Sequence, residues 1–149
     1  MKRIIMPVMV ILAISLLSLS CIKTRSINID IACDQFRQDS LFTSKCEAKI
    51  GDEINITLCS NRTTAFQWRY KTTVENVLKE EKHDFQEPTN DAMGAAGKES
   101  WTFEAVGTGT TVIQMEYSGP WEGEEKVEWT YTVTVTVEED ESQSTEAGQ

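Results

Sequence analysis

The segment from Val127 to Val137 constrains the fold more than any other part of this sequence. Apolar residues occupy every second position in it, and glutamate or threonine occupies the positions between them. Successive side chains of a β-strand point to opposite faces of a sheet, so this period predicts one long strand with a buried face and a solvated face. The predicted buried face consists of Val127, Trp129, Tyr131, Val133, Val135 and Val137.

Shorter stretches of the same alternation occur upstream and are separated by turn residues such as Gly51-Asp52 and Gly107-Thr108-Gly109. Residues 74–92 lack the period and carry many charges, so they are predicted to form a long, mostly irregular crossing. Several short strands without a convincing amphipathic helix predict an all-β fold, an immunoglobulin-like antiparallel β-sandwich. The upstream alternating sets are Ile54, Ile56 and Leu58; Phe66, Trp68 and Tyr70; Trp101, Phe103 and Ala105; and Ile113, Met115 and Tyr117.

The N-terminus has the composition of an export signal. Two basic residues, Lys2 and Arg3, precede an almost wholly apolar stretch from Ile4 to Leu19. A membrane span needs about 20 apolar residues, so the stretch fits a signal peptide over residues 1–20 better than a spanning helix. The predicted location is outside the cytosol, either extracellular or at the cell surface.

Ser18-Leu19-Ser20-Cys21 resembles a lipobox, in which the cysteine becomes the lipidated first residue of the mature protein. Ser18 stands where that motif usually has leucine. Lipidation of Cys21, cleavage nearby without lipid, and retention of the leader as an anchor therefore remain alternatives. A membrane contact is expected only through lipid at Cys21.

Composition divides the rest of the chain into three parts. Residues 21–44 read as an N-terminal arm or linker, in which the alternation of Ile27, Ile29 and Ile31 allows a short edge strand. Residues 45–137 form the predicted domain, and residues 138–149 form an acidic tail without apolar residues that we expect to be disordered.

The cysteines favour a disulfide over a metal site. Cys21, Cys33, Cys46 and Cys59 contain no C-x-x-C pair, and His83 is the single histidine, so neither a metal nor another cofactor is predicted. Disulfides form in exported proteins. A bond from Cys33 to Cys46 would attach the arm to the domain, although the sequence leaves the connectivity open.

Charge and residue inventory exclude two classes of function. The net charge of −10 repels phosphate backbones, so nucleic acid is not an expected partner, and the acidity is explained by solubility. One histidine in a charged segment supplies no Ser-His-Asp or Cys-His set, and no glycine-rich phosphate loop is present. Paired carboxylates such as Glu124 and Glu125 are commonplace on solvated loops. The chain is therefore predicted not to be an enzyme.

Three loop motifs are the remaining indication of function in the sequence, although each has a commonplace structural explanation when taken alone. A polar turn precedes an aromatic strand, a run of small residues permits close approach of a backbone, and a proline beside tryptophan provides a rigid aromatic anchor. The motifs are Asn61-Arg62-Thr63-Thr64-Ala65, Gly94-Ala95-Ala96-Gly97 and Gly119-Pro120-Trp121.

In this order the three motifs resemble those of the chagasin family of cysteine protease inhibitors. That family carries Asn-Pro-Thr-Thr-Gly, then Gly-x-Gly-Gly, then Arg-Pro-Trp preceded by tyrosine. The resemblance covers residues 45–137. The matching positions are Asn61, Thr63, Thr64, Phe66 and Trp68 in the first motif, Gly94 and Gly97 in the second, and Tyr117, Pro120 and Trp121 in the third.

The resemblance implies a monomeric inhibitor of papain-like cysteine proteases that blocks the active-site cleft with three loops. Thr63 would lie nearest the catalytic cysteine of the protease, while Asn61 and Thr64 would hold the shape of the loop. The segment 94–97 would pair its backbone with the non-primed side, and Trp121 would stack on the primed side.

Four substitutions depart from the family pattern, at Arg62, Ala65, Ala96 and Gly119. Loss of proline predicts a first loop that is more flexible before binding, and alanine at a position that needs positive φ would be strained. We therefore expect weaker inhibition or a shifted range of target proteases.

One feature of the sequence conflicts with this hypothesis. Asn55-Ile56-Thr57 and Asn61-Arg62-Thr63 are both N-glycosylation sequons, and a glycan on Asn61 would obstruct the inserting loop. The main alternative is an exported immunoglobulin-like surface module that binds a protein or a glycan without inhibiting a protease.

Overall fold

Two four-stranded sheets face each other in the computed structural model, which describes residues 24–89, 92, 94–119 and 127–139. This architecture confirms the predicted all-β sandwich. The elements in chain order are β1 Ser26–Ile31, α1 Cys33–Gln38, β2 Leu41–Lys49, β3 Glu53–Ser60, β4 Gln67–Thr72, β5 Leu78–Gln86, β6 Gly97–Ala105, β7 Gly109–Ser118 and β8 Val127–Glu138.

The N-terminal segment adds one edge strand to each sheet. The first sheet has the order β1-β3-β6-β5 and the second has the order β2-β8-β7-β4. Strands β1 and β2 pair in parallel with β3 and β8, whereas the other neighbours are antiparallel. The domain boundary predicted at residue 45 therefore falls inside β2, and residues 26–44 are part of the sandwich rather than a linker.

The facing sides of the two sheets form the core, as the alternation predicts, except that Val127 at the start of β8 is 40% exposed. Ile54, Ile56 and Leu58 of β3 are fully buried, with 0% of each residue exposed. Burial of such a side chain stabilises the fold by about 1.5–3 kcal/mol. The large buried residues that complete the core are Trp68, Trp101, Phe103, Ile113, Met115, Tyr117, Tyr131, Val133, Val135 and Val137.

Strand β5 corrects the prediction that residues 74–92 are mostly irregular. It pairs antiparallel with β6, with a register shift between Glu80 and Lys82. Leu78 is buried and Phe85 is half-buried, while the charged residues between them are exposed. An edge strand is held by backbone hydrogen bonds along one side, and exposed charges discourage further strand pairing there. Hydrophobic alternation therefore did not identify this strand.

The disulfide joins Cys33 to Cys59, so the predicted bond from Cys33 to Cys46 is wrong. Helix α1 places Cys33 beside the end of β3, with 4.9 Å between the two Cα atoms. Cys46 lies in the second sheet opposite Val135 and is a free, half-buried thiol. Burial raises the pKa of the Cys46 thiol, against the opposing effect of the Arg25 charge.

Several predictions concern residues outside the described ranges. They are the signal peptide over residues 1–20, lipidation of Cys21, the acidic pair Glu124 and Glu125, and nearly all of the tail. In the part of the chain that the structure describes, no helix is long and apolar enough to cross a membrane.

Candidate functional site

Three connections leave the same end of the sandwich. Strand β3 ends at Ser60 opposite Gly97, where β6 begins, and β7 ends at Ser118, which pairs with Gln67 of β4 and Val127 of β8. Loop 1 (residues 61–66), loop 2 (residues 87–96) and loop 3 (residues 119–126) therefore start from adjacent strand ends. The structure describes Gly119 of loop 3, which is buried, whereas Pro120 and Trp121 lie outside the described residues.

Loop 1 is closed by its own polar side chains. The backbone N–H and the hydroxyl of Thr63 donate to Asn61 Oδ1 at 3.0 and 2.7 Å. The backbone N–H and the hydroxyl of Thr64 donate to the Asn61 carbonyl at 3.2 and 2.8 Å. Such side-chain bonds to nearby backbone groups define a tight turn, so Asn61 and Thr64 set the shape of the loop. Thr63 is exposed in that turn.

Tyr117 fixes loop 1 to the second sheet. Its hydroxyl accepts from the Asn61 N–H at 3.0 Å and lies 3.2 Å from the Asn61 carbonyl, to which it donates. The buried Tyr117 ring stacks on Phe66 and on Trp129, with centroids 5.5 and 4.8 Å apart. Because Tyr117 immediately precedes the end of β7, loop 1 is held by the strand that leads into loop 3.

Arg62 has a packing partner although the proline typical of the family is absent. Its guanidinium lies over the ring of Phe85 on β5, 3.8 Å from the ring centroid. A cation over an aromatic face at an exposed site gains about 0.5–1 kcal/mol. This contact supplies a restraint on loop 1 that acts from outside the loop.

Loop 2 is shaped by glycine rather than by polar side chains. Gly94 has φ of +77°, a conformation that glycine adopts without strain. A Cβ atom on Gly97 would lie 2.3 Å from the Gln86 carbonyl oxygen and 2.7 Å from Phe85 Cζ, so the position has no room for a side chain. Ala95 lies between them and donates its N–H to the Ala92 carbonyl at 3.0 Å.

The expected strain at the alanine substitutions is not found. Positive φ occurs at three glycines of the described residues, and Ala65 and Ala96 are not among such positions. Ala96 instead packs its methyl group against the core. Loops 1 and 2 are also joined directly, because Asn61 Nδ2 donates to the Gly94 carbonyl at 3.0 Å.

A buried carboxylate lies beneath loop 1. Glu99 accepts from the Ser60 hydroxyl at 2.7 Å, and its other oxygen lies 2.8 Å from His83 Nε2. His83 lies in β5, rather than in a loop, and stacks on Trp101 with ring centroids 4.7 Å apart. Ser60 and His83 each contact Glu99, an arrangement that differs from a nucleophile bonded to its general base.

Comparison with known proteins identifies the family. The profile of the chagasin family peptidase inhibitors, I42, matches residues 47–135. The chain belongs to the chagasin family. It is a protease inhibitor rather than an enzyme, and the alternative of a surface module without inhibitory function is not favoured. No curated protein matches the chain.

Two solved structures share this sandwich fold. One is the cysteine protease inhibitor EhICP2 from Entamoeba histolytica, with a TM-score of 0.59, 20% identity, and coverage of 75% of this chain and 97% of that one. The other is PbICP-C in complex with falcipain-2, with a TM-score of 0.54, 14% identity, and coverage of 76% and 99%. At these identities the likeness supports the sandwich fold.

Three features of this chagasin-family site escaped sequence reasoning. Phe85 is a platform for Arg62, Glu99 is buried between Ser60 and His83, and α1 lies beside the loops. Phe85 and Glu99 belong to a strand pair whose register the sequence did not reveal. The six residues of α1 are too few for a recognisable helical period.

Proposed function

We propose that this chain inhibits papain-like cysteine proteases reversibly, by filling the active-site cleft with loops 1, 2 and 3. The observation that carries the proposal is the closed turn of loop 1, which exposes Thr63 between the side-chain bonds of Asn61 and Thr64. Membership of the chagasin family supports it, as does the complex in which the related PbICP-C binds falcipain-2.

A closed loop blocks a protease without being cleaved. The N–H groups of Thr63 and Thr64 are bonded to Asn61 within the turn. A segment held in that way is not free to extend and pair with a cleft as a substrate strand does. Thr63 would enter nearest the catalytic cysteine of the protease. The loop would not present a peptide carbonyl to that cysteine as an extended substrate does.

The other two loops would flank this contact. The small residues from Gly94 to Gly97 let the inhibitor backbone approach the non-primed side of the cleft, and Trp121 would stack on its primed side, with Pro120 fixing the approach. Contacts among the loops reduce the ordering cost of binding, which otherwise subtracts from affinity. The Asn61–Gly94 bond and the Tyr117 anchor have this effect.

The test is inhibition of papain and of a lysosomal-type cathepsin by the purified protein. Thr63→Ala and Trp121→Ala should each weaken inhibition, because they remove the central contact and the aromatic anchor. Removal of residues 140–149 is the control and should leave inhibition unchanged. Absence of inhibition at micromolar concentrations of the unaltered protein would contradict the proposal.

We also propose that the protein acts outside the cytosol as a monomer, with or without lipid on Cys21. The leader pattern and the Cys33–Cys59 disulfide support export, because disulfides persist in oxidising compartments. Mass spectrometry of the mature protein would identify the first residue and any lipid. Asn61 should be unmodified in the same spectrum, since its amide group lies within loop 1 and bonds to Gly94.

A further inference from the structure

Helix α1 lies at the same end of the sandwich as the three loops. Strand β1 ends at Ile31, which pairs with Leu58 near the end of β3. Strand β2 begins at Leu41, which pairs with Thr130 near the start of β8. The connection between β1 and β2, which contains α1, is therefore placed by strand register alone beside the end of β3, where loop 1 begins, and the start of β8.

Covalent and aromatic contacts fix α1 in this position. Its first residue is bonded through the disulfide to Cys59, two positions before Asn61. Phe36 is 3% exposed and stacks on Trp129 at 4.9 Å, with Phe42 and Trp68 at 5.2 and 5.5 Å. The helix is thus attached to the sandwich by one disulfide and by the packing of Phe36.

A groove separates α1 from loops 1 and 2. It has a volume of about 550 Å³, and its walls include Arg37, Asn61, the segment from Gly94 to Ala96, and Trp129. The surface of α1 is therefore continuous with the surface proposed to enter the protease.

Arg37 is the exposed cation on the α1 wall of this groove. Arg25 and Arg62 are already engaged, with Asp52 and with Phe85. No hydrogen bond or ion pair joins Arg37 to another residue of the described ranges. A guanidinium in that state is available for a charge-assisted bond to a carboxylate, the group its planar geometry fits best.

We propose that α1 is a fourth contact element of the inhibitor, in which Arg37 pairs with a carboxylate on the protease surface that borders the cleft beside loop 2. The inference rests on the proposed function, because it takes the protease as the occupant of this end. A charge at the edge of an interface acts mainly on association rate and on discrimination among partners. Arg37 would thus select proteases that carry an acidic residue on that border.

The experiment measures inhibition constants and association rates of the full-length protein against papain and a panel of papain-like proteases that differ in charge beside the cleft. The variants are Arg37→Ala and Arg37→Glu. Matched controls are Lys71→Ala and Lys71→Glu, because Lys71 is an exposed cation near the opposite end of β4. Unchanged thermal midpoints of the Arg37 variants would show that the fold is retained.

For a panel member with the acidic border, Arg37→Ala should weaken inhibition about 3- to 10-fold, and Arg37→Glu more than 10-fold. The loss should shrink at 0.5 M salt, where exposed charges are screened. The Lys71 variants should differ from the unaltered protein by less than about 2-fold.

The outcomes separate the two proposals. No inhibition of any panel member by the unaltered protein overturns the proposed function. If the Arg37 variants inhibit every protease as well as the Lys71 variants do, the proposed contact of α1 with the protease is wrong. A loss of inhibition that does not respond to salt overturns the pairing with a carboxylate.

Hydrogen exchange is an independent test of the same proposal. Amides of residues 33–38 should gain protection in the complex, and protection confined to the three loops contradicts the proposal.

Discussion

Loops 1 and 2 lie side by side and are held in shape by opposite means. Loop 1 depends on polar side chains, since the carboxamide of Asn61 and the hydroxyls of Thr64 and Tyr117 satisfy its backbone. Loop 2 and its junction with β6 depend on missing side chains, since Gly94 adopts positive φ and Gly97, the first residue of β6, lies against the Gln86 carbonyl.

The difference teaches how each loop should respond to substitution. A loop closed by several hydrogen bonds weakens stepwise, because each bond contributes about 1 kcal/mol. A backbone packed where a Cβ does not fit responds to the first added carbon, because the neighbouring backbone must move. The single bond between Asn61 and Gly94 couples the two loops.

The largest effect is expected from Gly97→Ala. The new methyl group would lie 2.3 Å from the Gln86 carbonyl oxygen, so β5 must shift away from the start of β6. The free energy of unfolding should fall by about 3 kcal/mol. Urea denaturation measures it, and a loss below about 1 kcal/mol would show that the strand pair yields easily.

Asn61→Ala should separate the shape of loop 1 from the stability of the fold. It removes three hydrogen bonds made by the carboxamide, to both donors of Thr63 and to the Gly94 carbonyl. Inhibition of papain should weaken about 30- to 100-fold as the loop loses its bound shape, with a smaller loss of stability of about 1–2 kcal/mol.

Asn55→Ala is the matched control for that variant. Asn55 also makes three side-chain hydrogen bonds, with Ser26, Asn28 and Thr102, but it lies near the start of β3, away from loop 1. It should lower stability by a similar amount and leave inhibition unchanged. Equal loss of inhibition in both variants would mean that loop 1 has no special role.

Tyr117→Phe tests the anchor between loop 1 and the second sheet. The ring stacking on Phe66 and Trp129 is retained, whereas the hydroxyl that bonds to the Asn61 backbone is lost. Stability should fall by about 1 kcal/mol and inhibition about 5-fold. Tyr70→Phe, which removes a hydroxyl bonded to Glu80 away from the loops, should leave the inhibition constant unchanged.

Gly94→Ala should have the smallest effect. No atom lies within 4 Å of the position its Cβ would take, so the cost is the backbone strain of alanine at φ of +77°. That cost is about 1 kcal/mol. Thermal unfolding should therefore show a smaller loss of stability for Gly94→Ala than for Gly97→Ala. Equal destabilisation by the two variants would contradict the distinction between a glycine needed for its positive φ and a glycine needed because a side chain does not fit.

Hydrophobic alternation predicted the strands that bury one face, such as β3 and β8, because burial imposes the period of two. It did not predict β5, which lies at an edge with charged residues exposed and is held by backbone bonds to β6. It also missed α1, and the wrong disulfide follows from that omission. The position of Cys33 beside Cys59 depends on α1, whereas Cys46 is carried into the other sheet by β2.

The loop motifs were identified from sequence because their residue types are specific, but their supports were not. The contact of Arg62 with Phe85 joins loop 1 to strand β5. Likewise, the Glu99 carboxylate on β6 accepts a hydrogen bond from the Ser60 hydroxyl at the end of β3, and these two residues are far apart in the sequence. Such contacts follow from strand register, which a pattern of apolar residues does not determine at charged positions.

The parallel pairing of β1 with β3 and of β2 with β8 has a consequence for the integrity of the inhibitor. These two strands cover one side of β3 and of β8, in two different sheets. If proteolysis and reduction of the Cys33–Cys59 disulfide removed the segment from Ser26 to Lys49, both strands would become open edges at once. Open edges pair with other chains, so loss of the N-terminal segment should make the inhibitor self-associate.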